Sequence, residues 1–210
     1  MNEHPLRVLH VGCGPKKPGK LPPPFNAPPW QEVRLDIDAD VAPDLLASMT
    51  DMGMIPSASF DAILSSHNIE HLYPHEVPLA LAEFMRVLTP QGFALITLPD
   101  LRRVAQWILD ERLFDLAYVS PAGPVAPIDI LYGFRPALAS GNHYMAHRCG
   151  FTAGSLEHTL RQAGFASVSV RTDANWSLWA VASMQAVDQQ ATEFLADTLV
   201  GGRDDSRAAV

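Results

Sequence analysis

Only two of the 210 residues are cysteine. Cys13 sits in a glycine turn and Cys149 in a late loop, which excludes a disulfide framework and a Cys-x-x-Cys metal pattern and leaves two free thiols. No stretch approaches the roughly 18 continuous apolar residues that span a bilayer. The N-terminal Met-Asn-Glu-His-Pro is not a basic segment leading into an apolar one, so a cytoplasmic protein is expected. Basic residues are few and dispersed: 15 Lys and Arg stand against 23 Asp and Glu, for a formal net charge of -8. This balance argues against nucleic acid or an anionic membrane surface as partner and favours a small molecule or a protein.

With 48% hydrophobic residues the chain can bury one sizeable core. Residues 7–11 form an apolar run that ends in Gly12-Cys13-Gly14, and residues 32–35 form another that ends in Asp36-Ile37-Asp38. Strands that stop in glycines and then in a carboxylate are how an α/β sheet receives a nucleotide-like ligand. Residues 15–30 between them carry seven prolines, which bar the usual crossover helix. We expect this segment to fold over the pocket as an extended flap.

Residues 60–65 and 92–98 read as further strands, and Leu81, Phe84, Met85 and Leu88 between them make the stripe of an amphipathic helix ended by Thr89-Pro90-Gln91-Gly92. Asp100 can cap another helix running toward Ala117. Residues 118–150 lack periodicity and Pro121, Pro124 and Pro127 interrupt them, so residues 101–150 are expected to be a helical-to-irregular lid on the acceptor side. A helix from Thr152 to Gly164 and an antiparallel strand pair over 166–171 and 177–183 complete a domain over residues 1–184. Residues 185–210 remain as a C-terminal helix and a frayed tail.

The ordered series Leu-His-Val-Gly-Cys-Gly, Leu-Asp-Ile-Asp, Ser-Met-Thr-Asp-Met, Ser-Ser-His-Asn-Ile-Glu-His-Leu, Phe-Met-Arg-Val-Leu-Thr-Pro-Gln-Gly-Phe and Ala-Gly-Phe resembles a class I S-adenosylmethionine-dependent methyltransferase of the bacterial type 11-like kind. The resemblance implies a Rossmann-like, mostly parallel sheet with a C-terminal antiparallel hairpin, S-adenosyl-L-methionine as cofactor, and methyl transfer to a small-molecule acceptor. By position, it implies that Gly12, Cys13 and Gly14 pass under the methionine part and that Asp36 accepts from the ribose hydroxyls. It further implies that Met49, Asp51 and Met52 meet the adenine, and that Ser65, Ser66 and His67 end a strand against the sulfonium. His10 stands where the family often has an acid, which departs from its pattern.

His67 can line the transfer site, and His143 and His147 can take a proton from the acceptor, since a histidine titrates near neutrality. Aromatic residues of the lid, Trp107, Phe114, Tyr118, Tyr132, Phe134 and Tyr144, would suit an apolar acceptor. A rival reading takes His67-Asn68-Ile69-Glu70-His71 as H-x-x-E-H, the pattern of a zinc hydrolase that presents two histidines from one helical face. Pro74 follows too closely for such a helix, and Glu70 and His71 then start or brace a loop after the strand; the expected site holds no metal. A third reading is a non-catalytic cofactor-binding or interaction module.

Overall fold

The computed structural model describes residues 5–200. Strands β1 (Leu6–Val11), β2 (Trp30–Asp36), β3 (Leu45–Leu46) and β4 (Phe60–Ser66) are followed by helix α1 (Val77–Val87), strand β5 (Leu88–Pro99) and helix α2 (Leu101–Leu109). A small hairpin, β6 (Tyr118–Ser120) and β7 (Gly123–Val125), leads to helices α3 (Pro127–Tyr132), α4 (Arg135–Ala139) and α5 (Ala153–Ala163). Strands β8 (Ser167–Thr172) and β9 (Ser177–Ser183) and helix α6 (Gln189–Val200) close the described chain. No described helix is long and apolar enough to cross a membrane.

Seven strands form one sheet in the order β3-β2-β1-β4-β5-β9-β8, parallel except where β9 pairs antiparallel with both β5 and β8. This is the Rossmann-like methyltransferase arrangement with its C-terminal hairpin. Alternate residues of the central strands feed two cores. Leu9, Val11 and Ile63 pack with Leu81 and Phe84 of α1 and Leu156 and Leu160 of α5, while Val8, Ala62 and Leu64 pack on the other face with Phe25 and with Ala196 and Leu199 of α6.

Phe25 corrects the expected flap. Between β1 and β2 stands a 3-10 turn, Pro23–Asn26, whose Phe25 is buried against the sheet and meets Trp30 edge-on at 4.8 Å between ring centroids. The proline-rich segment therefore covers a sheet face, where its aromatic side chain removes apolar area from water, and only Pro15 and Lys20 of it reach the main cavity.

Two other expectations are corrected. Leu88 leaves the α1 stripe and opens β5, opposite Phe60, with a register shift before Ala62 pairs with Phe93. Residues 101–150 are not irregular throughout: Val104, Val125, Ile130 and Trp176 form a third core, with Trp107, Tyr118 and Phe134 packed against it. Pro127 and Pro136 occupy the first turns of α3 and α4, where a missing N–H is no loss. The expected frayed tail from Gly201 to Val210 lies outside the described residues.

Candidate functional site

A cavity of about 370 Å³ opens at the C-terminal ends of β1, β2 and β4, where an open α/β sheet holds its ligands. Gly12 and Gly14 turn the chain there with φ of +60° and +56°, a region that side chains other than glycine rarely adopt. A Cβ on Gly12 would run into the Asn68 carboxamide. That carboxamide is itself fixed, since its Nδ2 donates to the Val11 carbonyl at 2.7 Å.

The turn is held from below. Cys13 donates its backbone N–H to Leu35 O at 3.1 Å, and Gly14 donates to Asp36 Oδ2 at 2.7 Å. Asp36 Oδ1 accepts the N–H of Asp38 at 3.0 Å, so each carboxylate oxygen keeps a lone pair for another donor. The buried Arg34 guanidinium donates to Gly14 O at 2.6 Å and to Ala42 O at 2.8 Å, and Lys20 Nζ donates to Cys13 O at 2.7 Å. Arg34 thus ties the turn to the segment after β2, and Lys20 ties it to the proline-rich segment before β2.

Of the residues expected at the site, Gly12, Gly14, Asp36, Met49, Ser66 and His67 line this cavity. Cys13 is buried beneath the turn, and burial raises its thiol pKa. Ser65 is fully buried in β4, and Met52 is fully buried in the core, where its N–H donates to Glu83 Oε2 at 2.6 Å. Asp51 is exposed and accepts from Gly53 N at 3.3 Å. His10 is buried away from the cavity with its Nδ1 2.7 Å from Glu32 Oε1.

The opposite wall comes from the lid segment: Asn142, Tyr144, Met145 and Arg148. Tyr144 alone of the lid aromatics reaches the cavity, because Trp107, Tyr118 and Phe134 serve the third core and Phe114 and Tyr132 face outward. His143 is exposed and lies outside the lining, and His147 lies behind the wall. Asn68, Lys20, Arg34 and Arg148 were missed from sequence. Arg34 alone left a signal, a charged side chain inside an apolar strand.

The H-x-x-E-H helix does not form. Residues Ile69–His71 make a single 3-10 turn, and His67 precedes it with φ of +53°, so His67 and His71 share no helical face. The turn braces the lid: Glu70 O accepts from Arg148 N at 2.8 Å and Cys149 N at 3.2 Å, and His71 O accepts from the Arg148 guanidinium at 2.7 Å. Burial pushes the Cys149 thiol up to about 11.

Glu70 itself is fully buried. Burial works to raise its pKa, but the imidazoles of His67, His71 and His147 outweigh it and hold the carboxyl below its ordinary value. His67 Nδ1 lies 3.3 Å from Glu70 Oε1. Desolvation works to lower the His67 pKa, and Glu70 more than offsets this, so it stands raised.

Residues 9–96 match the family described as a methyltransferase domain. The fold is similar to that of a SAM-dependent methyltransferase from Archaeoglobus fulgidus, at 13% identity over 85% of this chain and 86% of that one, with a TM-score of 0.54. It is also similar to the 1,6-didemethyltoxoflavin-N1-methyltransferase of Burkholderia thailandensis, solved with its substrate and S-adenosylhomocysteine, at 16% identity over 86% and 72% of the two chains and a TM-score of 0.52. A possible histamine N-methyltransferase from Thermotoga maritima gives 14% identity over 85% and 82%, with a TM-score of 0.53. Comparison with curated protein sequences finds no match. Residues 9–96 thus carry the match to a methyltransferase domain, and the order of the seven-stranded sheet is that of the Rossmann-like fold these neighbours share.

Proposed function

We propose that the protein methylates a small organic acceptor that enters between the 66–72 loop and the lid segment 142–148. The observation that carries this reading is a cavity of about 370 Å³ lined both by the strand ends and by the lid segment, within the size range of small-molecule sites. The cofactor of the class fits the residues present. The two left-handed glycines present bare backbone to the cavity, Asp36 keeps lone pairs for the ribose hydroxyls, and Val11, Leu35, Ile37 and Met49 give an apolar floor for the adenine.

When bound, S-adenosylmethionine supplies a methyl group already activated on a sulfonium. The chain's own task is then to align the acceptor and exclude water. Ser66 and His67 at the end of β4 face the cavity from one side, and Asn142, Tyr144 and Arg148 offer polar contacts from the other. His143 has no part in this reading.

The test has two stages. Calorimetric titration with S-adenosylhomocysteine should show one site of micromolar affinity. Release of S-adenosylhomocysteine is then followed across hydroxyl, amine and thiol acceptors. No binding in the first stage sinks the reading, and turnover with a macromolecule but no small acceptor would replace its acceptor half.

A further inference from the structure

Glu70, His71 and His147 each offer one possible metal-ligating atom, and these atoms all lie within 4.8 Å of one another. The two histidines arrive from different parts of the chain and are oriented in the same way. His71 Nδ1 lies 3.0 Å from Ala146 O, and His147 Nδ1 lies 2.8 Å from Ile130 O. A carbonyl can only accept, so both Nδ1 atoms carry the hydrogen and both Nε2 atoms present a lone pair. A backbone carbonyl on one ring nitrogen, with the other left free, is how metal-binding histidines are commonly held.

The carboxylate supplies the second, independent observation. Glu70 is 1% exposed; the His67 imidazole lies 3.3 Å from its Oε1, and neither oxygen has an aligned hydrogen-bond donor among the described residues. A buried ionised group without such partners is costly, and coordination of a cation removes the cost.

The geometry points to a divalent transition-metal site formed by Glu70, His71 and His147. Two nitrogens and a carboxylate oxygen are the donor set of open zinc sites. Bonds of about 2.1 Å bring ligand atoms to roughly 3–4 Å of each other, so binding draws the three in by about an ångström. Glu70 and His71 belong to the turn after β4, and His147 belongs to the lid segment. The ion thus joins the two walls of the cavity, and His71 lines that cavity. This differs from the H-x-x-E-H reading, in which Glu70 is a base and His67 a ligand.

The test uses the full chain, stripped with chelator and titrated with Zn²⁺ against a chromophoric competitor; Co²⁺ replaces it for absorption spectroscopy. We expect one equivalent bound at micromolar affinity or tighter, and at least a 10-fold loss in both His147→Gln and Glu70→Gln, with His158→Gln on the exposed face of α5 unchanged. At 100 times Kd the ion should raise the wild-type Tm by about 5–10 °C and leave His147→Gln unmoved. S-adenosylhomocysteine titration of the same samples reports folding and the cofactor site separately, so a failed metal site is distinguishable from a failed methyltransferase reading. Less than a tenth of an equivalent bound by the wild type, or equal binding by both variants, overturns the proposal.

Discussion

Gly14 donates its backbone N–H to Asp36 Oδ2 at 2.7 Å, so one carboxylate joins the glycine turn to the end of β2. Asp36 therefore has two roles, shaping the turn and offering acceptors into the cavity. Asp36→Ala should weaken S-adenosylhomocysteine binding by about 100-fold, since charge-assisted hydrogen bonds contribute roughly 1.5–3 kcal/mol each. Asp36→Asn, which keeps the shape but loses the charge, should fall between. Calorimetry on the three proteins decides it, and an unchanged Kd for Asp36→Ala would overturn the ribose assignment.

Gly12→Ala meets two separate obstacles, a φ of +60° and the Asn68 carboxamide where the Cβ must go. Gly19 has φ of +77° but nothing within 4 Å of a built Cβ. Gly19→Ala should thus cost only backbone strain, about 1 kcal/mol, and Gly12→Ala about 2–3 kcal/mol. Urea midpoints measure both. Adding Asn68→Ala to Gly12→Ala should make the pair less destabilising than the sum of the single changes, because the clash disappears; strict additivity would show that the clash is not the cause.

The sheet and the turn that lines the cavity were legible because their signals are local. Gly12-Cys13-Gly14 and Asp36 follow directly on apolar strands. Asp100 caps α2 by accepting from Arg102 N at 2.9 Å, and Gly164 ends α5 in the left-handed region with φ of +114°. The lid was not legible, because its core unites Val104, Val125 and Ile130 with Trp176, which lies far along the chain. Its prolines read as interruptions, yet Pro127 and Pro136 start helices. The Glu70, His71 and His147 cluster was half visible. The H-x-x-E-H spacing marked Glu70 and His71, but His147 joins them only through tertiary structure, which spacing cannot show.

Asp129 organises the lid. Its carboxylate, 2% exposed, accepts from the Arg135 guanidinium 2.6 Å away, from Ala126 N at 2.9 Å and from Arg135 N at 3.2 Å. Burial works to raise its pKa, and the bonds from Arg135 and Ala126 outweigh it, so the folded value is lowered. The stabilisation is complete above the unfolded carboxyl value and is lost only as pH falls through the lower folded one. At neutral pH, Asp129→Asn should lower the free energy of lid opening by about 2–3 kcal/mol. Hydrogen exchange should then be faster by about 30- to 150-fold at the amides of Ala126 and Arg135 and unchanged in β4. Equal protection in the variant would refute this role.

His10 sets an acid limit on the fold. Burial lowers its pKa below 6.5, outweighing the Glu32 carboxylate that favours the charged form. The unfolded chain thus takes up this proton first as pH falls. The neutral ring's contribution is therefore whole above the unfolded pKa and declines as pH drops through it toward the lowered folded value, with a slope of at most about 1.4 kcal/mol per pH unit. His10→Asn keeps a donor toward Glu32 but cannot titrate. Subtracting its urea-unfolding free energies from those of the wild type, at pH steps from 8 to 5, should give a difference that is flat above pH 7 and falls against the wild type below it. A difference that stays flat throughout would mean that folding leaves the His10 pKa unshifted, and one that rises on acidification would mean that the folded protein favours the charged ring.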